Sequence, residues 1–282
     1  MSKLLFGTAG IPLSTPNNDG SELLTAAGIH HVHALGLAAM EIEFVRQVYI
    51  TTKTAPLVLE AARQSGVALS AHAPYYINLN AVEQDKRNKS RAYIYNAAKA
   101  IYACGGTDVI FHAGYYMDGD PQDVYKTIRD EIHSMVQKLL IEGIKVRLRP
   151  EVSGKTSAFG SVEEIIKLSS DLKGVLPCVD FSHAYARSQG RTNSYEDFCL
   201  ILKQIRDELG EEALTQNLHA HISGIAYTIS GEKKHMLFAE SQFNMSDMVK
   251  ALKYMNAGGR IICESPDIEG DALKLQQAYQ LL

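Results

Sequence analysis

Residues 108–151 read DVIFHAGYYMDGDPQDVYKTIRDEIHSMVQKLLIEGIKVRLRPE. A β-rich run at 108–113 is followed by an amphipathic stretch at 121–141, and a second β-rich run occupies 145–151. Asp120-Pro121 opens the central stretch with proline at the first helical position, and Gly143 closes it. Strand, helix and strand in that order form a parallel crossover unit, because two parallel neighbours need a connection of a dozen or more residues. The same rhythm continues outward in both directions. Further β-rich runs lie at 3–8, 39–44, 67–72, 176–181, 217–222 and 260–265. Helical patterns fill 21–35, 52–65, 86–103, 161–172, 195–209, 246–256 and 269–281. Ser161 with Glu164 three residues on reads as a capping box, and Gly66, Gly210 and Gly258 punctuate helix ends. Eight strand–helix pairs are what a parallel sheet needs to close on itself. The expected class is therefore α/β, a single (β/α)8 TIM barrel over residues 1–282 with its site at the carboxyl ends of the strands. An open doubly wound sheet is the alternative, and it leaves so many elements unexplained.

Composition narrows the function classes. A chain that is 46% hydrophobic and 21% charged has the apolar mass for a large core, which excludes disordered, collagen-like and coiled-coil classes. No apolar run approaches the ~20 residues that cross a bilayer, and the opening MSKLLFGTAGIPLSTP reaches Gly and Pro too early for a secretory signal. A soluble, cytoplasmic protein with no membrane partner is expected. The formal net charge of −4 does not by itself announce a nucleic-acid binder. Cys104, Cys178, Cys199 and Cys263 are widely spaced without a CxxC pair, which argues against disulfides and a thiolate-bound zinc.

Chemistry concentrates where a barrel would put it. Strand 3 ends in His72, strand 4 in His112 and strand 5 in Glu151. Strand 6 ends in Asp180, followed by His183, strand 7 in His221 and strand 8 in Glu264. Imidazole and carboxylate are the ligands of zinc and manganese, and six consecutive strands deliver one or the other to the same rim. A single histidine at a strand end is more often a satisfied core residue; six together are hard to explain that way. His30, His31, His33 and His133 fall within helical patterns and are expected to be solvated. His219 shares the face of His221 one pleat deeper, which suits a supporting or core role and leaves ligation open. GKT at 154–156 suggests a phosphate loop, but the position five residues before Gly154 is Arg149 where that loop requires glycine.

In order and spacing, the motifs HAPYYINL (72–79), FHAG (111–114), PEVSG (150–154), VDFSHAYA (179–186), HIS (221–223) with GEKKH (231–235), and CESP (263–266) resemble the endonuclease IV family of apurinic/apyrimidinic endonucleases. The resemblance runs from the GTAG near the start to the last strand. It implies a barrel holding up to three divalent ions, zinc by preference with manganese possible. It implies base-excision repair activity: hydrolysis of the phosphodiester 5′ to an abasic site in double-stranded DNA, leaving a 3′-hydroxyl and a 5′-deoxyribose phosphate, by a monomer. It assigns His72, His112 and Glu151 to one ion; Glu151, Asp180, His221 and Glu264 to a second; and His183 with His235, in the loop after strand 7, to a third. Glu151 and Glu264 are the implied catalytic ligands, and Arg46, Gln47 and Tyr75 the implied DNA contacts. The family places an aspartate two residues before the loop histidine, and here that position is Lys233. Either Glu232 moves in as the carboxylate, or the match slips by one, Glu232 itself holds the aspartate's place and the match at His235 is lost. A sugar isomerase or epimerase of the same barrel superfamily is the alternative function, since Glu151, Asp180, His221 and Glu264 alone would hold its single ion.

Overall fold

The structure is a computed structural model that describes residues 4–16 and 23–282; Lys3 of the first expected strand and Ser21 and Glu22 of the first expected helix lie outside the described residues. Ten strands are present among the described residues, β1 (Leu4–Ala9), β2 (Ala39–Glu43), β3 (Ala68–His72), β4 (Asp108–Phe111), β5 (Arg147–Pro150), β6 (Val179–Asp180), β7 (Leu218–Ile222), β8 (Gly224–Thr228), β9 (Gly231–Met236) and β10 (Gly259–Cys263). Between them run the helices α1 (Leu24–Ala34), α2 (Ala55–Ser65), α3 (Gln84–Ala103), α4 (Pro121–Ile141), α5 (Val162–Asp171), α6 (Phe181–Arg187), α7 (Tyr195–Leu209), α8 (Glu211–Thr215), α9 (Met245–Tyr254) and α10 (Glu269–Gln280). No helix among the described residues is long and apolar enough to cross a membrane.

Eight of the strands form one parallel sheet in the order β5-β4-β3-β2-β1-β10-β7-β6. Its two edges meet through parallel bridges from Leu148 to Val175 and from Glu151 to Cys178, with Cys178 N–H donating to Pro150 O at 3.0 Å. The sheet thus curls into the expected TIM barrel. Helix α4 shows why the local sequence suffices for its elements. Asp120 accepts the Gln122 N–H, Pro121 sits where no intrahelical donor is needed, and Ile128, Ile132, Met135 and Leu139 bury one stripe against the sheet.

Three differences from the expected elements bear on the site. Strand 6 is reduced to two residues, because the Asp180 side chain accepts the His183 N–H at 2.6 Å and starts α6 immediately. The segment after β7, expected as a loop, is the antiparallel hairpin β8–β9. His31 and His30 are half-buried rather than fully solvated, each 2.8 Å from a serine hydroxyl, Ser14 and Ser65 respectively, whereas His33 and His133 are exposed.

The barrel floor is an ion cluster. Asp108, wholly buried at the start of β4, meets Arg149 Nε at 2.5 Å, Arg147 Nε at 2.7 Å and an Arg260 guanidinium nitrogen at 3.2 Å. Burial alone would raise the Asp108 pKa, but Arg149, Arg260 and Arg147 outweigh it and hold the carboxyl well below the ordinary range. Arg149 also donates to the carbonyls of Pro177 and Asn217 and so ties β5 to the segments before β6 and β7. Asp108→Asn should destabilise the chain by ~3–5 kcal/mol in denaturant unfolding, since it leaves buried guanidinium charge uncompensated. In the wild type the contribution of Asp108 is present above the unfolded carboxyl pKa of ~3.9 and is lost as pH falls below it, so acid unfolding of the variant should lose that component.

Candidate metal centre

Each barrel strand presents alternate residues inward, and the last inward residue of each lies at the carboxyl rim. His72 and Glu43 are register partners on β3 and β2, and both belong to that rim. Glu151, directly after β5, is almost wholly buried and lies at its centre. One carboxylate oxygen, Oε2, is 3.1 Å from His72 Nε2 and 3.4 Å from His112 Nε2. The other, Oε1, is 3.1 Å from His221 Nδ1 and 3.4 Å from His183 Nδ1. His221 Nδ1 is also 3.3 Å from Glu264 Oε1, and His183 Nδ1 is 3.2 Å from Asp180 Oδ2. His72 Nδ1–H can donate to Ala73 O at 2.8 Å, which would leave Nε2 as a lone pair pointed into the centre.

The donor atoms fall into contiguous sets, each within the reach of a single cation: His72, His112 and Glu151; Glu151, Asp180, His183 and Glu264; and His183, Glu232 and His235. Seven of the eight strand-end and hairpin residues expected from the sequence fall in these sets, together with Glu232, with His183 beside Glu151, Asp180 and Glu264 where His221 was expected; His221 Nδ1 faces Glu151 and Glu264 but gathers with Cys178 and His219. The hairpin sets which of these residues share a face. Ile225 pairs with His235, Ala226 with Lys234, and then Tyr227 with Glu232, so Lys233 is an extra residue in a β-bulge. In an unbroken strand residues 232 and 235 would face opposite ways. The bulge resets the alternation, bringing Glu232 and His235 to one face while Lys233 is exposed. Glu232 Oε2 is 3.5 Å from His183 Nε2, and His235 Nε2 is 3.3 Å from the same nitrogen.

Two glycines permit this approach. A Cβ on Gly154 would stand 2.6 Å from Glu232 Cβ and 3.0 Å from the His183 ring. Gly231, at φ +90°, passes so close to Gly154 O that a Cβ would overlap it at 2.1 Å. The GKT segment is thus an anchor for the hairpin. Lys155 bridges to Gly231, and the Glu232 N–H donates to Gly154 O at 3.0 Å, which seats β8 and β9 on the rim.

Electrostatics fits a cation. Burial raises the Glu264 carboxyl, beyond what His221 restores, to about 8. Burial works against charge on His72, yet Glu151 and the neighbouring glutamates carry its pKa up to about 10. His112 goes the other way, down to about 4, because burial dominates. Protons are shared among crowded acids and imidazoles that a divalent ion would displace. Asp180 Oδ2 and His112 Nδ1 are buried and make no hydrogen bond among the described residues, and the set of imidazole and carboxylate donors suits zinc or manganese. Above the donors opens a cleft of 340 Å3 lined by His72, Tyr75, His112, Tyr115, Lys155, His183, Glu232, His235 and Glu264, among others.

Of the expected contact residues, Tyr75 is half exposed on this cleft, its ring 5.3 Å from that of His72 and its hydroxyl donating to Glu43 Oε2 at 3.4 Å. Arg46 and Gln47 are exposed on the adjoining loop, which Tyr75 N–H reaches at Val45 O. Glu41 and Glu43 escaped the sequence reading. Their signal was available in AMEIEF, where acids alternate with apolar residues and so share the inward face of β2. His219 is enclosed beneath the centre, with Nε2 3.0 Å from Glu41 Oε2, as a residue one pleat below the rim should be.

A family model described as xylose isomerase-like TIM barrel matches residues 29–282. The chain belongs to this family. An uncharacterized protein of Methanocaldococcus jannaschii is 41% identical over 99% of this chain and 98% of its own length. A probable endonuclease 4 of Mycobacterium leprae is 24% identical over 74% of this chain and 77% of its own. Among solved structures, endonuclease IV from Thermus thermophilus superposes with a TM-score of 0.70 at 19% identity, covering 97% of this chain and 98% of that one. A D-tagatose 3-epimerase-like protein superposes with a TM-score of 0.72 at 16% identity, covering 93% of each. At such identities these likenesses establish the shared barrel and no more.

The bulge yields a direct test. Glu232→Ala should weaken one bound ion by about 10-fold or more in a stepwise chelator titration, whereas Lys233→Ala and Lys233→Asp should change nothing. Deleting Lys233 leaves Glu232 and His235 two residues apart on a regular strand and should preserve that ion. Tighter binding in Lys233→Asp would mean that the bulge residue faces the ion.

Proposed function

We propose that this chain is a divalent-metal endonuclease that hydrolyses DNA 5′ to an abasic site, leaving a 3′-hydroxyl and a 5′-deoxyribose phosphate. The observation that carries the reading is the joining of donor sets around Glu151 and His183. A sugar isomerase or epimerase has use for one ion, held by Glu151, Asp180, His221 and Glu264, and that leaves His72, His112, His235 and Glu232 without a role. A phosphodiester that must be attacked on one side while its leaving oxygen gains charge on the other makes use of several cations. The relatives named endonuclease 4 support this direction, while the epimerase-like neighbour marks the rival reading.

Divalent ions, with zinc the first choice and manganese the second, would supply Lewis acidity and lower the pKa of bound water toward ~7. His72, His112 and Glu151 would hold one; Glu151, Asp180, His221 and Glu264 another; and His183, which also reaches the second set, would hold the third with Glu232 and His235. Glu151, central and buried, is shared by the first two sets and so sets their spacing. Three such ions would bring the formal net charge of the chain from −4 to +2, with the added charge concentrated at the rim. Tyr75 offers a flat face beside His72 for an extruded nucleotide, with its hydroxyl tethered by Glu43. Arg46 and Gln47 stand on the neighbouring loop where they can enter the vacated stack. Lys155 on the cleft wall and Lys233 and Lys234 on the hairpin are placed for phosphates. The chain would act as a monomer on damaged duplex DNA in the cytoplasm.

Glu151→Gln and Glu264→Gln should each cut incision of an abasic-site duplex on the order of 1,000-fold or more with the fold intact, the several kcal/mol that lost charge stabilisation costs. Arg46→Ala should weaken duplex binding and leave metal content unchanged. Metal-loaded wild type that leaves abasic duplex uncut but interconverts ketohexoses would overturn the endonuclease in favour of the epimerase.

A further inference from the structure

Holding a cation occupies one side of the His221 ring. Nδ1 faces Glu151 and Glu264, and the opposite nitrogen, Nε2, lies 2.9 Å from Glu41 Oε1. Glu41 and His221 are both wholly enclosed in the barrel. The second oxygen of Glu41, Oε2, is fully engaged: the Ser70 hydroxyl donates to it at 2.7 Å, and His219 Nε2 stands 3.0 Å away. Neither Glu41 Oε1 nor His221 Nε2 makes a hydrogen bond among the described residues, although they stand 2.9 Å apart. Two buried polar atoms therefore confront each other, one on a carboxylate clamped from behind.

Imidazole chemistry gives this confrontation a consequence. For Nδ1 to offer its lone pair to a cation, the ring proton must reside on Nε2, and in this interior it needs an acceptor. A carboxylate in that place fixes the tautomer and the plane of the ring and makes the opposite lone pair more basic. We propose that Glu41 is a positioning residue that holds His221 in its metal-binding tautomer and orientation, with Ser70 and His219 locking the carboxylate. The inference rests on the proposed function only in taking His221 as a ligand; it needs no particular substrate. A rival exists, because Cys178, His219 and His221 also gather within the reach of one cation. In that case Glu41 and its neighbours would bind an interior ion of their own.

The test measures metal affinity on the full chain, by competition between zinc and a chromogenic chelator, beside a cobalt-loaded sample whose visible absorption reports each site. Glu41→Gln keeps the size and removes the charge. One bound ion should weaken 10–100-fold, with a shifted cobalt spectrum for that ion and no change in the others or in the number of ions bound. Ser70→Ala should produce a smaller loss at the same ion, and it carries the test alone where Glu41→Gln does not fold. Unchanged affinity for every ion in a folded Glu41→Gln, or in Ser70→Ala where it stands alone, would overturn the proposal. So would a Cys178→Ser variant that binds one ion fewer than wild type, since Glu41 would then belong to a separate interior site. If wild type fails to incise abasic duplex while Glu41→Gln still loosens one ion, the endonuclease reading falls and the role of Glu41 stands.

Discussion

One buried carboxylate organises this barrel. Glu151 is removed from water, and an unpaired charge there would be untenable, so its two oxygens dictate what surrounds them. Four imidazoles, from His72, His112, His183 and His221, approach within 3.1 to 3.4 Å, two to each oxygen. Glu264 and Asp180 complete the ring by facing the same histidines from the outer side. Such a knot of acids and imidazoles balances its charge by sharing protons, and a divalent ion replaces those protons with a stronger partner. The same crowding that would strain a structural core prepares a site for cations.

Beneath the rim the interior stays polar. TIM barrels are commonly filled by layers of branched apolar side chains. Here Glu151 and its partners form the upper layer. Glu41, Ser70 and His219 form a middle one, and Asp108 with Arg149 seals the floor. Ion pairs and hydrogen bonds offset part of the burial within each layer, while Asp180 Oδ2, His112 Nδ1 and Glu41 Oε1 remain without a hydrogen bond among the described residues. Arg149 and Glu151 are two residues apart on the same inward face of β5, one closing the floor and the other centring the rim.

Similarity of fold does not separate the members of this family by chemistry. An endonuclease IV and an epimerase-like protein superpose on this chain about equally well. What separates the readings is the number of donor sets at the rim, and the third of these depends on one bulged residue in a hairpin. Lys233 in that position turns outward and lets Glu232 take the inward place. Small local irregularities on a shared barrel can thus alter how many ions it is able to hold.

The alternation of strands and helices, the closed parallel sheet and the strand-end donors His72, His112, Glu151, Asp180, His221 and Glu264 could all be read from the chain. They follow from two periodicities and from the rule that barrel strands present their final inward residue at one rim. The inward acids Glu41 and Glu43 obeyed the same periodicity and were equally legible in AMEIEF. The resemblance of motifs added His235, which follows the end of strand 7 by many residues and is invisible to strand-end logic. Which residue joins His235 was undecidable there, because a bulge changes the facing of every residue beyond it and leaves no mark in composition. The close approach of Gly154 to Glu232, and the meeting of Glu41 with His221 across 180 residues of chain, are likewise beyond local pattern. Sequence by itself determined the barrel and its reactive rim, since these are set by short-range alternation; tertiary structure alone decided how the donors are shared, since that depends on register and on distances through space.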